Sequence, residues 1–167
     1  LDELTQMEEI TRDLYADVRE AILGLRTGPH RDGSLVPALR EYLDSYRETS
    51  SIEAKLQVSS EAESLRLPLS TEIQLMRIIQ EALSNVRKHA KATAVSIRFE
   101  QRDSGLEVLV ADDGQGFDPT RLRSAGWPRF GLQTMQERAQ AVGGTFTIET
   151  APGKGTRIVV RIPLKEA

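Results

Sequence analysis

The sequence predicts an α+β fold, a two-layer α/β sandwich whose mixed sheet carries its helices on one face, preceded by an N-terminal helix. Three observations point there. Segments of helical spacing and segments of alternating polarity follow in the order helix, helix, strand, helix, strand, strand, long loop, helix, strand, strand. Strands stand in adjacent pairs at 94–111 and 145–162, which suits hairpins and breaks the βα alternation of a Rossmann sheet. With 167 residues and no cysteine, the chain is long enough for one well-formed domain plus an appendage, held by its core alone.

Residues Leu1 to Arg26 place side chains at Leu4, Met7, Ile10 or Thr11, Leu14, Val18, Ala21 or Ile22 and Leu25, a repeat of three and four, which is an amphipathic helix with a narrow stripe. Such a stripe packs either on its own domain or on a second copy. The segment 27–34, with two glycines and a proline, reads as a linker. Leu35 to Thr49 is a second helix, with Ser34 available as N-cap, Pro37 in its first turn, and Leu35, Leu39, Leu43 and Tyr46 on one face. Ile52 to Ser59 alternates as a half-buried strand. A polar stretch then leads past Pro68 to a long helix, expected to start at Ser70 or Thr71 with Glu72 close behind and to run to about Ala90.

Two strands follow, Ala94–Gln101 and Leu106–Ala111, joined by a turn at Arg102-Asp103-Ser104-Gly105. From Asp112 to Phe130 three glycines and two prolines interrupt any period, and so long a loop within a compact domain is usually functional or disordered. Helical spacing returns over Gly131–Val142 and closes at Gly143-Gly144. Phe146, Ile148 and Thr150 alternate, 152–155 turns, and Arg157–Pro163 alternates again.

Composition excludes several functions. The absence of cysteine removes disulfides, thiolate metal sites and cysteine nucleophiles, and fits a cytoplasmic location. Lys and Arg number 22 against 25 Asp and Glu, and a net charge of −3 argues against a nucleic-acid partner held by phosphate neutralisation. Two histidines do not make a histidine-rich metal site. No apolar run is long enough to span a membrane, and the acidic start lacks a basic signal-peptide region. The chain opens on Leu1 rather than Met, which reads as a fragment.

Two segments carry chemistry. On the long helix Glu81, Asn85 and Lys88 fall at i, i+4 and i+7 with His89 beside them, while Met76, Ile79, Leu83 and Val86 are free to face the sheet. Carboxylate, amide and cation in one line can orient water or act as a base, ligate a hard metal ion and meet a phosphate; the same line is also what an ordinary solvated helix face looks like. The apolar strand Leu109-Val110-Ala111 runs straight into Asp112-Asp113-Gly114-Gln115-Gly116, presenting a carboxylate at a strand end beside glycines that let backbone approach a ligand. Neither common phosphate cradle, G-x-x-x-x-G-K-[ST] or G-x-G-x-x-G, is present, although Gly131 opens a helix whose free amides suit a phosphate.

In order, E-A-L-S-N-V-R-K-H-A (81–90), V-A-D-D-G-Q-G-F (110–117), F-G-L-Q-T-M-Q-E-R-A (130–139), V-G-G-T-F-T-I-E-T (142–150) and P-G-K-G-T (152–156) resemble the N, G1 and G2 boxes of the GHKL ATPase superfamily. The nearest likeness is to sensor histidine kinases that pair with helix-turn-helix response regulators. The resemblance implies a Bergerat ATP-binding fold over 34–167, with the Asp112–Phe130 loop as a short lid. It implies ATP and Mg²⁺ as cofactors, with Asp112 accepting from the adenine amino group, Gly114 and Gly116 shaping the base pocket, and Thr156 near the adenine. Asn85 would bind the metal, and Glu81 would lie near the γ-phosphate. Lys88 and His89 would face the phosphates, flanked by Gly131 and Leu132. Residues 18–26 and 35–43 look like the second helix of the family's dimerisation and phosphotransfer hairpin and the first helix of its catalytic domain. Residues 1–27 are thus expected to be a partial phosphotransfer helix, with 28–33 as the linker.

A phosphoacceptor histidine followed by Asp has no match here, and His30 in its Gly/Pro loop does not fill that role. The implied activity is therefore transfer of the γ-phosphoryl group to a histidine outside this chain. The implied partners are a receiver domain, the phosphoacceptor helix of the same kinase and, through the N-terminal helix, a second copy; the parent protein can be membrane-anchored. The rivals are another GHKL ATPase or an anti-sigma-type serine kinase, and a non-catalytic nucleotide-sensing or dimerisation module.

Overall fold

The computed structural model describes Met7, Thr11 and Val18, residues 35–120 and residues 129–164. The elements in order are α1 (Leu35–Thr49), β1 (Glu53–Val58), α2 (Ser60–Ser64), α3 (Leu69–Asn85) continued by a π turn (Val86–Ala90), β2 (Ala94–Arg102), β3 (Gly105–Asp112), α4 (Arg129–Ala141), β4 (Thr145–Thr150) and β5 (Thr156–Pro163). The sheet order is β1-β2-β3-β5-β4, with β1 parallel to β2 and every other pair antiparallel. This is the mixed sheet that the sequence predicts.

Alternation decides which face of the sheet is covered. Val95, Ile97 and Phe99 of β2, Leu106, Val108 and Val110 of β3, and Ile158, Val160 and Ile162 of β5 are all buried on the helix side. The intervening residues form a charged outer face, where Glu107 accepts from Arg161 at 2.7 Å and pairs with Arg102 at 3.2 Å. Exposed pairs of this kind keep the face soluble and add little stability.

The helices complete the core. Helix α1 buries Leu35, Leu39, Tyr42, Leu43 and Tyr46 at helical spacing, and α3 buries Leu75, Met76, Ile79, Leu83 and others against the sheet. The Tyr46 hydroxyl donates to the Leu83 carbonyl at 3.1 Å, tying the two helices together inside the core. Arg47 donates to the Ala54 carbonyl from Nε and Nη2 at 2.9 and 2.7 Å, fastening α1 to the edge strand β1.

Two local expectations are corrected. Helix α3 begins at Leu69 rather than at Ser70 or Thr71, because the Pro68 carbonyl takes the amides of both Thr71 and Glu72 and no side chain caps the end. Glu72 is buried, and its carboxylate accepts the backbone amide of Leu35 at the start of α1. The polar stretch before Pro68 holds the short helix α2, capped by the Ser59 hydroxyl accepting from the Ala62 amide at 3.1 Å. With Ala62 its one buried residue, α2 has no apolar period for a sequence reading to find.

Met7, Thr11 and Val18 are helical and exposed. The rest of the predicted N-terminal helix, the linker with Ser34, and lid residues 121–128 with Trp127 lie outside the described residues. Among the described residues no helix is long and apolar enough to cross a membrane.

Candidate nucleotide site

Helix α3 does not stop where its regular turns end. Over Val86–Ala90 the backbone widens into a π turn and exits through Lys91 in the left-handed region (φ 50°). A π turn closes five residues on instead of four, so a residue four beyond Asn85 swings into line with it and one three beyond turns away. Asn85 and His89 accordingly line a common pocket, while Lys88 is exposed and is not part of its wall. The even i, i+4, i+7 stripe of the sequence reading is bent at its last member.

The widened turn leaves carbonyls without helical partners, and the loop after β3 takes them up. The Gln115 amide donates to the Ala90 carbonyl at 2.7 Å, and the Gln115 side chain donates to the His89 carbonyl at 2.8 Å. Asp113 accepts at Oδ1 from the amides of Thr93 and Ala94 (2.8 and 2.9 Å) and at Oδ2 from the Thr93 hydroxyl (2.5 Å), which holds its carboxyl below the usual carboxylate range. Gly114 lies so close to the helix end that a Cβ there would overlap the Ala90 carbonyl. Gly116 has φ +58°, and a side chain on it would strike the Ala151 carbonyl.

Asp112 ends β3, level with Val95 on one side and Thr156 on the other. Its Oδ1 accepts from the Gly114 amide at 2.8 Å. Burial pushes the carboxyl above its ordinary pKa, partly offset by the amides of Gly114 and Thr156 and reinforced by neighbouring Asp113. Behind it the Thr150 hydroxyl accepts from the Phe117 amide at 3.1 Å, donates to the Gly155 carbonyl at 2.9 Å and lies 3.3 Å from the Thr156 hydroxyl.

Between these elements opens a pocket of about 520 Å³, counting its mouth. Its polar wall is Asn85, His89, Asp112 and Thr156, with Gly116 and Phe117 at the loop side. Ala82, Val86, Val110, Leu132, Ile148 and Ile158 supply apolar walls. Burial lowers the His89 pKa, with Lys88 adding to the effect and Glu81 opposing it, so the imidazole is neutral at pH 7. Glu81 stands at the α3–α4 junction: the place a side chain would take at Gly131 is filled by the Glu81 carboxylate, with Asn85 Nδ2 3.5 Å away.

Of the residues the sequence singles out, Asn85, His89, Asp112, Gly116, Leu132 and Thr156 share one pocket, Gly114 adjoins it, and Glu81 meets Gly131 beside it. Sequence reasoning did not single out Asp113, Gln115 or Thr150. No spacing rule signals a loop side chain that reaches back to a helix end. The fit to a nucleoside triphosphate is chemical: an apolar slot with one deep carboxylate suits a flat base bearing an amino group. Among the described residues no three His, Asp or Glu gather as a metal cage, so a hard cation would rest on Asn85 and on oxygens brought by its ligand.

A family model described as histidine kinase-, DNA gyrase B-, and HSP90-like ATPase matches residues 70–166. The chain belongs to that family. As one of these ATPases it carries an ATP-binding domain, and it is 35% identical over 98% of its length to the signal transduction histidine-protein kinase/phosphatase DegS of Brevibacillus brevis. It is 32% identical over 96% of its length to the sensor histidine kinase LiaS of Bacillus subtilis. The chain spans 41% and 43% of the length of these relatives. Among solved structures, the blue-light activated histidine kinase of Erythrobacter litoralis superposes with a TM-score of 0.67 at 21% identity, covering 96% of this chain and 50% of that one. The mycobacterial sensor histidine kinase MprB gives 0.57 at 23%, covering 74% and 89%. These likenesses establish the fold, a histidine-kinase ATPase architecture.

Proposed function

We propose that this chain is the ATP-binding catalytic region of a cytoplasmic two-component sensor histidine kinase, donating the ATP γ-phosphoryl group to a histidine on another segment of the same kinase. The observation that carries the reading is the convergence of Asp112, at the tip of the central strand, with Asn85 and His89 of α3 on one largely apolar pocket. The named activity of the relatives points the same way.

In this reading Asp112 accepts from the adenine amino group, Gly114 and Gly116 let the loop close over the base, and Thr156 stands beside it. The triphosphate extends along α3, past His89 and Lys88, toward Gly131 and Leu132 at the start of α4, where helix-terminal amides favour negative charge. Asn85 would hold Mg²⁺, which when bound supplies neutralisation of the phosphate charge. Glu81 orients the incoming imidazole near the γ-phosphate. Catalysis by these groups is positioning and charge compensation. A receiver domain is the onward acceptor, residues 1–27 are part of the dimerisation and phosphotransfer hairpin, 28–33 join it to the catalytic domain 34–167, and the exposed Met7–Thr11–Val18 edge meets a second copy.

Mg-ATP or a nonhydrolysable analogue should raise the melting temperature, since a ligand that prefers the folded form stabilises it. Asp112→Asn should remove most of that rise; an unchanged rise refutes the adenine assignment. Phosphorylation of a supplied phosphotransfer hairpin that is lost on acid treatment identifies histidine as acceptor, and an acid-stable product points to serine instead.

A further inference from the structure

Asp112, Thr156 and Thr150 stand side by side across β3, β5 and β4, Thr156 being the register partner of the other two. Strand alternation turns all three toward the helices, as it does Val110, Ile158 and Ile148. Asp112 and Thr156 are walls of the nucleotide pocket; Thr150, one strand farther out, is not.

A threonine hydroxyl has one proton to give and two lone pairs with which to accept. At Thr150 all three are engaged. The proton goes to the Gly155 carbonyl at 2.9 Å, one lone pair receives the Phe117 amide at 3.1 Å, and the Thr156 hydroxyl lies 3.3 Å away. The Gly155 carbonyl is the nearer acceptor, and its residue packs so tightly on the β3 end that a Cβ there would overlap the Asp112 carbonyl. With its proton engaged at Gly155, Thr150 can only accept from Thr156. The Thr156 hydroxyl proton is thereby directed toward β4, and lone pairs are what Thr156 has left for the pocket. Asp112 accepts from the amides of Gly114 and Thr156, and it too offers the pocket only lone pairs.

The joined tips of β3 and β5 therefore present acceptors without a donor. An amino group on a base finds a partner there. A ring carbonyl in its place would face lone pairs after giving up its water, a loss that a site built on hydrogen bonds turns into discrimination. We propose that Thr150 is a positioning residue for base selectivity: by accepting the Thr156 hydroxyl proton it keeps this wall acceptor-only and so favours 6-amino over 6-oxo purine nucleotides. The inference rests on the ATP reading above and adds to it a residue that does not touch the nucleotide. Valine at 150 keeps the shape and removes the acceptor, which releases the Thr156 proton toward the pocket, where a 6-oxo group can receive it.

The test is calorimetric measurement of Mg-ATP and Mg-ITP binding by the whole chain and its variants, ITP carrying a carbonyl where ATP carries the amino group. The unaltered chain should prefer ATP by about tenfold or more. Thr150→Val should narrow that preference by about fivefold or more, and Thr150→Ser, which restores the hydroxyl, should return it. Thr150→Ala carries the same expectation should the valine variant fail to fold. In a Thr156→Ala background, replacing Thr150 should leave the ratio where it stands, because the hydroxyl it directs is gone. A residue that only braced the turn would weaken both nucleotides alike, so an unchanged ratio in Thr150→Val and Thr150→Ala overturns the proposal. Equal binding of the two nucleotides by the unaltered chain, or a preference that serine does not restore, overturns it as well. Binding of neither nucleotide by the unaltered chain overturns the ATP reading and this inference with it, whereas the other failures leave that reading standing.

Discussion

Asp112 and Asp113 are adjacent carboxylates that the fold treats in opposite ways. Burial raises the Asp112 pKa, so the folded chain holds that proton to higher pH than the unfolded chain does. Stability therefore falls as pH rises from the unfolded value to the folded one, and above both the penalty is fully in force. Asp112→Asn should leave the nucleotide-free domain at pH 7 as stable as the original or more so, an advantage that vanishes in acid. Scanning fluorimetry across a pH series checks this, and a marked loss of stability at pH 7 contradicts it. Asp113 is the reverse case, its folded pKa lying below the unfolded value, so its contribution is complete above the ordinary carboxylate range and is lost as pH falls through the folded value. Asp113→Ala should lower stability by about 1–2 kcal/mol at pH 7, discounted for its exposure, and by less at low pH; urea melts at both pH values read the difference.

At the scale of elements, the π turn and the loop after β3 form one unit. Gln115 satisfies two carbonyls of that turn, and its own carbonyl accepts from the Gly153 amide at 2.6 Å, so one residue joins α3, the β3 loop and the β4–β5 turn. Gln115→Ala should weaken Mg-ATP binding measurably by calorimetry while the domain melts nearly unchanged, since the backbone bond to Ala90 survives and the side chain lost is exposed. Gly114→Ala forces a methyl into the Ala90 carbonyl and should cost about 1–3 kcal/mol in chemical denaturation. Legibility in the sequence follows the same line. Helix α1 and the strands were readable because burial enforces a period, as in Leu35, Leu39, Leu43 and Tyr46. Asp112 was readable because a carboxylate ending an apolar strand contradicts burial. The π turn was not, because nothing in Val86-Arg87-Lys88-His89-Ala90 itself breaks a helix, while the bonds from Gln115 that support the wider turn are tertiary. Asp113, Gln115 and Thr150 were hidden for that reason, and α2 because it is too short to show a stripe.

The described residues share one core, packed between the sheet and its helices, with a charged face on the other side of the sheet. Leu83, fully buried in α3, should cost about 2–5 kcal/mol when replaced by Ala, whereas Glu107→Gln on the outer face should change stability by no more than about 1 kcal/mol. Met7 and Val18 are 65% and 51% exposed, and in the proposed reading they face a second copy. Val18→Lys should shift a dimer toward monomer in analytical ultracentrifugation; an unchanged sedimentation profile would remove the N-terminal edge as the contact between copies.

The strand bearing Asp112 lies in the middle of the sheet, and its neighbour on one side, β5, comes last in chain order among the five strands of that sheet. Thr156 and Ile158 of that late strand are walls of the nucleotide pocket. The pocket therefore draws on segments far apart in the chain, from Ala82 of α3 to Ile158 of β5. The nucleotide pocket is thus walled only once β5 has joined the sheet.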